Sequence, residues 1–187
     1  PYDFIKNIRL SDLKLFDKFV HRTFNNNDCT YFLLSLNNII NKYDSIGDLF
    51  LKLMNDENDN VCQAISKFRE LFFELPSDIS KPTRHLSNPM ANSAAKRFNM
   101  YLRWMVRKDN RGVDFGIWDK IKMSSLMCPL DVHSGRISRN LGILTRKQDD
   151  WKAVVELTDN LKIFDPNDPV KYDFALFGIG VSNDFQF

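Results

Sequence analysis

The sequence is poor in the residues that build disulfides, metal clusters and membrane spans. Cysteine occurs three times, at Cys29, Cys62 and Cys128, far apart and with no CxxC pair. That spacing excludes a disulfide framework and a zinc or iron–sulfur cluster, and it suits free thiols in a reducing compartment. No histidine stands in HxH, HxxxH or His–Cys spacing, so no metal ligation is expected. Seven glycines and seven prolines are too few for a turn-dense all-β fold. No apolar run reaches the roughly 18 residues of a membrane span, and no signal-peptide pattern opens the chain. The expectation is a cytoplasmic protein without a membrane partner. There is no Walker or dinucleotide glycine loop and no nucleophile elbow; the two glycines of FGIGV lie in a helix-like segment. No cofactor is expected. The chain begins at Pro1 rather than Met, and residues missing from its front are expected.

What is present is apolar and helical. Apolar residues make up 43% of 187 residues, 16 of them Phe, which suffices for a packed core and argues against disorder. Three-and-four spacing of apolar side chains predicts helices over residues 11–19, 28–42, 45–54 and from about 59 to 74, all scaffold. Residues 75–91, with Pro76, Pro82 and Pro89, read as a long ordered loop. Further helices are predicted over 94–107, as a turn or two within 113–121, and over 133–141, 148–164 and 170–181. Gly142 is the expected C-terminal stop of the third of these. Asp168 and Pro169 start the last one, and residues 183–187 read as a frayed end.

Charge is distributed unevenly. Residues 81–147 hold 14 Lys and Arg against 4 Asp and Glu, a balance of +10, while the remainder holds 12 basic and 20 acidic residues, a balance of −8. Such asymmetry points to a polyanion facing one surface, with a solvated scatter of charge as the bland alternative.

Two stretches carry candidate chemistry. In PLDVHSGRISRNLG (residues 129–142), Asp131 stands at a helix start. It is either a helix cap or an ionised carboxylate that acts as a base or stabilises a developing cation. In AAKRFNMYLRWMVR (residues 94–107), Lys96 stands near a helix N-terminus, the end the dipole disfavours for a cation. It is either a solvated surface Lys or an amine nucleophile. His133 caps, pairs with Asp131 or touches a phosphate.

Together these residues resemble the helix-hairpin-helix DNA glycosylase superfamily, in which an apolar run leads to V-D-x-H-V-x-R-[IV]-x-x-R-L-G. Here the segment is L-D-V-H-S-G-R-I-S-R-N-L-G, followed in order by a long amphipathic helix, an Asp/Pro break and YDFALFGIG. AAKRFNMYL resembles the hairpin helix that carries the lysine of lyase-active members. The likeness covers roughly residues 87–181. More closely, the chain resembles a bacterial family of unknown function (domain of unknown function 2400) with SNP, LRWMVR, PLD-x-H and DPxDPVKYDFALFG in common. Three features depart from the superfamily. SNPMANSAAK replaces the LPGVGxxTA hairpin, the gap from Lys96 to Asp131 is long, and the terminal cysteine cluster is absent.

The resemblance implies an all-α, two-lobed helical bundle of glycosylase type with a DNA groove and a first lobe truncated at its N-terminus. Residues 1–80 would be a helical scaffold, 81–147 the basic segment with the site, and 148–187 the closing helices. It implies a monomeric enzyme acting on damaged or abasic DNA. Asp131 would stabilise the sugar cation and Lys96 would form a Schiff base. Arg84, His85, Arg97, Arg103, Arg107, His133, Arg136 and Arg139 would contact nucleic acid. Two alternatives stay open: a non-catalytic nucleic-acid-binding protein on the same scaffold, and a role on RNA. Trp104, Phe115 and Trp118 are candidates for stacking on a base or for the core.

Overall fold

The computed structural model describes residues 1–75 and 79–182. Eight α-helices and one two-stranded ribbon form the described residues. They are α1 (Tyr2–Lys6), the antiparallel ribbon β1 (Val20–His21) and β2 (Phe24–Asn25), α2 (Asn26–Tyr43), α3 (Ile46–Asp56), α4 (Val61–Phe72), α5 (Lys96–Val106), α6 (Val132–Asn140), α7 (Trp151–Phe164) and α8 (Asp173–Val181). Pro76, within the predicted loop, and the predicted frayed end at 183–187 lie outside the described residues.

Side-chain caps set most of the boundaries. The side chains of Asn25, Ser45, Asn60 and Asp150 accept backbone N–H bonds at the starts of α2, α3, α4 and α7. Each satisfies donors the helix cannot satisfy itself. The cap of α2 is Asn25, with Asp28 completing its capping box from the third position.

Two predicted helices do not form. Residues 11–19 yield only a 3-10 turn, Asp12–Phe16. Its apolar neighbours find no core, since Leu10, Leu15 and Val20 all stay exposed. Residues 113–121 instead run back along the end of α5. The N–H groups of Phe115 and Gly116 donate to the Trp104 carbonyl (2.7 and 3.2 Å), and that of Trp118 donates to the Met105 carbonyl (2.8 Å). Gly116 makes this return possible. It takes φ +58°, and a Cβ there would meet the Lys108 Cβ and Cα at 2.7 and 2.9 Å.

One contiguous core runs from Tyr31 in α2 to Leu176 in α8. Phe50 stacks on Phe68 at 4.7 Å, and Phe68 meets Phe98 edge-on at 5.9 Å. α5 enters this core with Phe98, Leu102 and Val106, all buried. Its other face is polar and also buried. Asn99, Arg103 and Arg107, at helical spacing after Lys96, turn toward α8 and the 107–114 turn.

The return segment carries Asp114 between two arginines. Arg103 Nε donates to one Asp114 oxygen (3.2 Å) and Arg107 Nη1 to the other (2.8 Å). Arg103 also binds Asp173 at the start of α8, and Arg107 binds Asp168 and Asp109. The Phe174 ring lies beside this cluster, 4.4 Å from the Arg103 guanidinium. Breaking a buried pair leaves an uncompensated charge. Asp114→Ala is therefore expected to lower the unfolding free energy in urea by about 3–5 kcal/mol. A loss below about 1 kcal/mol would show that the arginines are not held as described.

Candidate functional site: an amine and a carboxylate at two helix starts

α5 begins without a side-chain cap. The residue before it, Ala95, is buried and takes a left-handed φ of +46°. For a residue with a Cβ this costs of the order of 1–2 kcal/mol, so the surrounding contacts must hold it. The loop ahead is tied to the start of α7: Asn92 Nδ2 donates to Asp150 Oδ2 (3.0 Å), and the Trp151 N–H donates to the Asn92 carbonyl (3.3 Å). A strained residue fixed by its neighbours immediately before Lys96 is the kind of feature that accompanies functional sites.

α6 is positioned from the other side. Cys128, Pro129 and Leu130 are buried, and the Cys128 N–H donates to Thr158 Oγ1 of α7 (3.0 Å). This delivers Asp131 to the cap of α6, where its Oδ1 accepts the N–H groups of His133 and Ser134 (both 2.9 Å). At the far end, Gly142 takes φ +73° just beyond the last helical turn, as its sequence position predicts.

These two placements bring Lys96 and Asp131, 35 residues apart in sequence, into contact. Lys96 Nζ donates to Asp131 Oδ2 at 2.7 Å. The Lys96 side chain is 46% exposed and that of Asp131 is 13% exposed. One carboxylate oxygen thus serves the helix and the other faces the amine. Burial on its own would raise the Asp131 pKa; the hydrogen bonds from Lys96 and Ser134 and the Lys96 charge outweigh it, and the net displacement is downward. Deeper in, burial pushes the Asp173 carboxyl up to about 6 against the pull of Arg103, with the Asp131 charge adding to the rise. Asn99, one turn from Lys96, donates to the Ala94 carbonyl (3.1 Å), and its buried Oδ1 has no protein partner.

The other expected nucleic-acid contacts are placed differently. Arg103 and Arg107 are buried and bound to carboxylates, so the expectation that they hold phosphates is corrected. The pattern failed because Asp168 and Asp173 arrive from distant sequence, and Asp114 by the return of residues 113–121 along α5, to neutralise them. Arg84 donates to Asp28 (2.8 Å) and the Thr23 carbonyl, and the His85 ring lies 3.1 Å from the same Asp28 oxygen.

His133 and Arg136 both bind the Gly180 carbonyl at the end of α8 (3.0 and 2.8 Å), the end that favours cations. Because a carbonyl only accepts, His133 Nδ1 carries the proton there. Residue 180 has to be glycine for this contact: a Cβ would lie 2.8 Å from the His133 Cβ. Arg139 binds Asp149 (2.6 Å) and the Arg146 carbonyl. Arg97 is exposed and has no side-chain partner among the described residues. Trp118 is partly buried and packs against the core with its ring on Phe50 and Tyr101, whereas Trp104 and Phe115 remain exposed. Among the described residues no group of His, Cys, Asp and Glu could hold a metal ion, and no helix is long and apolar enough to cross a membrane.

A family model described as a protein of unknown function (DUF2400) matches residues 1–182. No curated protein and no solved structure matches the chain.

The Asp131 displacement fixes a pH dependence. A carboxyl whose folded pKa lies below its unfolded value, near 3.9, stabilises the fold above that value. The contribution is lost as pH falls through the folded pKa. The stability gap between wild type and Asp131→Asn, which keeps a capping side chain, is expected to be constant from about pH 5 to 8 and to shrink below about pH 4. Paired urea titrations would measure it; a gap that grows toward acid would contradict the placement of this carboxylate.

Proposed function

From the premise that the chain belongs to the DUF2400 family of proteins of unknown function, we propose that it binds DNA and acts on abasic or damaged sites as a glycosylase or lyase of the helix-hairpin-helix type. The observation that carries this reading is the contact between Lys96 Nζ and Asp131 Oδ2 at 2.7 Å. An amine that is half in solvent and touches a carboxylate is equipped for imine chemistry with an aldehyde. After Lys96 gives up its proton, its amine adds to the C1′ aldehyde of an abasic sugar, and loss of water leaves an imine. Asp131 lies within reach to take that proton. Its lowered pKa makes it a weak base but keeps it ionised, which suits stabilisation of a positively charged sugar. A flipped nucleotide, cheapest to extrude where the base is damaged or missing, would present that carbon.

A second reading is favoured by a specific observation. Both Asp131 oxygens are already engaged, one by the start of α6 and one by Lys96. That would suffice for a structural ion pair tying α5 to α6 in a non-catalytic DNA- or RNA-binding protein.

Borohydride trapping on abasic duplex DNA separates the two. The first reading expects a covalent adduct with wild type that disappears in Lys96→Ala while salt-sensitive DNA binding remains. An adduct that persists in Lys96→Ala removes the lysine from the chemistry. Binding without any adduct removes the lyase and leaves a glycosylase that uses Asp131 alone or the second reading, which base release from damaged duplexes then separates.

A further inference from the structure

On the opposite side of α5 from Asn99 and Arg103 lies a cavity of about 310 Å³. It is open to solvent on one side, bounded by α2, α3, α4 and α5, and lined by Phe32, Phe50, Phe68, Phe72, Phe98 and Tyr101. Its volume stands at the low end of ligand pockets, about 300–1,000 Å³, a size for one compact ring system rather than a chain. Phe32, Leu36 and Tyr101 are only partly buried, so the apolar lining reaches solvent. Aromatic walls of this kind favour a flat ring by stacked or edge-on contact.

The polar groups at the cavity are sparse and of one sign. Among the described residues no acidic side chain lines it. Arg97, the residue after Lys96, lines it with an exposed guanidinium that has no partner among the described residues. The other basic lining residue, His85, has its Nε2 turned to Asp28 and Arg84, at 3.1 and 3.0 Å. Burial pushes the Tyr101 phenol up, so it stays protonated. An unpaired guanidinium beside an aromatic-walled cavity complements an anion attached to the ring, because a charge-assisted hydrogen bond of that type is roughly twice as strong as a neutral one.

We propose that this cavity binds a flat aromatic molecule bearing an anionic group, with the ring among the phenylalanines and the anion on Arg97. The site is distinct from the Lys96–Asp131 pair and does not depend on the function assigned to it. The same chemistry occurs in a purine nucleoside monophosphate and in an aromatic carboxylate, and the test distinguishes them.

Isothermal titration of the full chain with four probes would decide: 1-naphthoate, its neutral carboxamide, adenosine monophosphate and inorganic phosphate. One of the two aromatic anions is expected to bind, and which one identifies the source. The carboxamide and phosphate are expected to bind at least about tenfold more weakly, and Arg97→Gln to weaken the anion by a similar factor, the loss of one charge-assisted hydrogen bond. Leu36→Trp, which fills the cavity, should abolish binding, with folding checked by circular dichroism. Leu36→Phe gives a graded loss should the larger residue not fold. Lys96→Ala should bind as wild type does, so failure of the imine chemistry leaves this result standing. No binding of either aromatic anion, binding indifferent to Arg97→Gln and to cavity filling, or phosphate binding as tightly as the aromatic anions would overturn the proposal.

Discussion

The buried charges along one face of α5 constrain everything around the candidate site. Two guanidiniums, Arg103 and Arg107, are removed from water, a state tolerable only when each is paired and hydrogen-bonded. Their partners come from three places: the 109–114 turn, the segment leading into α8, and α8 itself. Each of those segments is thereby bound to one helix. Phe174, beside both guanidiniums at 4.4 and 5.7 Å, adds cation–π attraction in a desolvated setting, where it is strongest.

Because α5 is held in this way, its first residue has a defined position. Lys96 sits two turns before Arg103 on the same face, so fixing the arginine against α8 also fixes the direction of the lysine. α8 in turn packs on α6, where Gly180 permits close approach and its carbonyl receives His133 and Arg136. The two helix starts that carry Lys96 and Asp131 are therefore positioned by the same set of contacts. Asp173 belongs both to the arginine network and, through its electrostatic coupling to Asp131, to the candidate site. The site is in this sense the exposed end of a buried polar layer, while the opposite face of α5 contributes to an apolar core and to the aromatic cavity.

Much of this was legible in the sequence where a single helix determined it. The apolar spacing of α2, α3, α4 and α7 foretold real helices, and Gly142 marked the end of α6. Asp131 as a helix cap followed from one local pattern. What local patterns could not supply was the pairing of distant charges. Arg103 and Arg107 look like any two cations on a helix face until Asp114, Asp168 and Asp173 are placed beside them. The +10 surplus of residues 81–147 is for the same reason partly cancelled by carboxylates from outside that window. The return of residues 113–121 along α5 depends on hydrogen bonds between two segments and on a positive φ at Gly116 that periodicity does not report, and the ribbon at Val20–Asn25 is a tight hairpin with a positive φ at Arg22. The contact between Lys96 and Asp131 was suggested by resemblance, and only the fold brings the two residues together.

A double-mutant cycle on stability, using Lys96→Met, Asp131→Asn and both together, tests that juxtaposition most directly. Asparagine preserves the cap of α6, so the coupling isolates the charge contact. With the lysine half exposed, the account expects a favourable coupling of about 0.5–1 kcal/mol that fades near 1 M salt, where the screening length falls to about 3 Å. Additive single substitutions, with no coupling at low salt, would mean that the amine and the carboxylate do not meet.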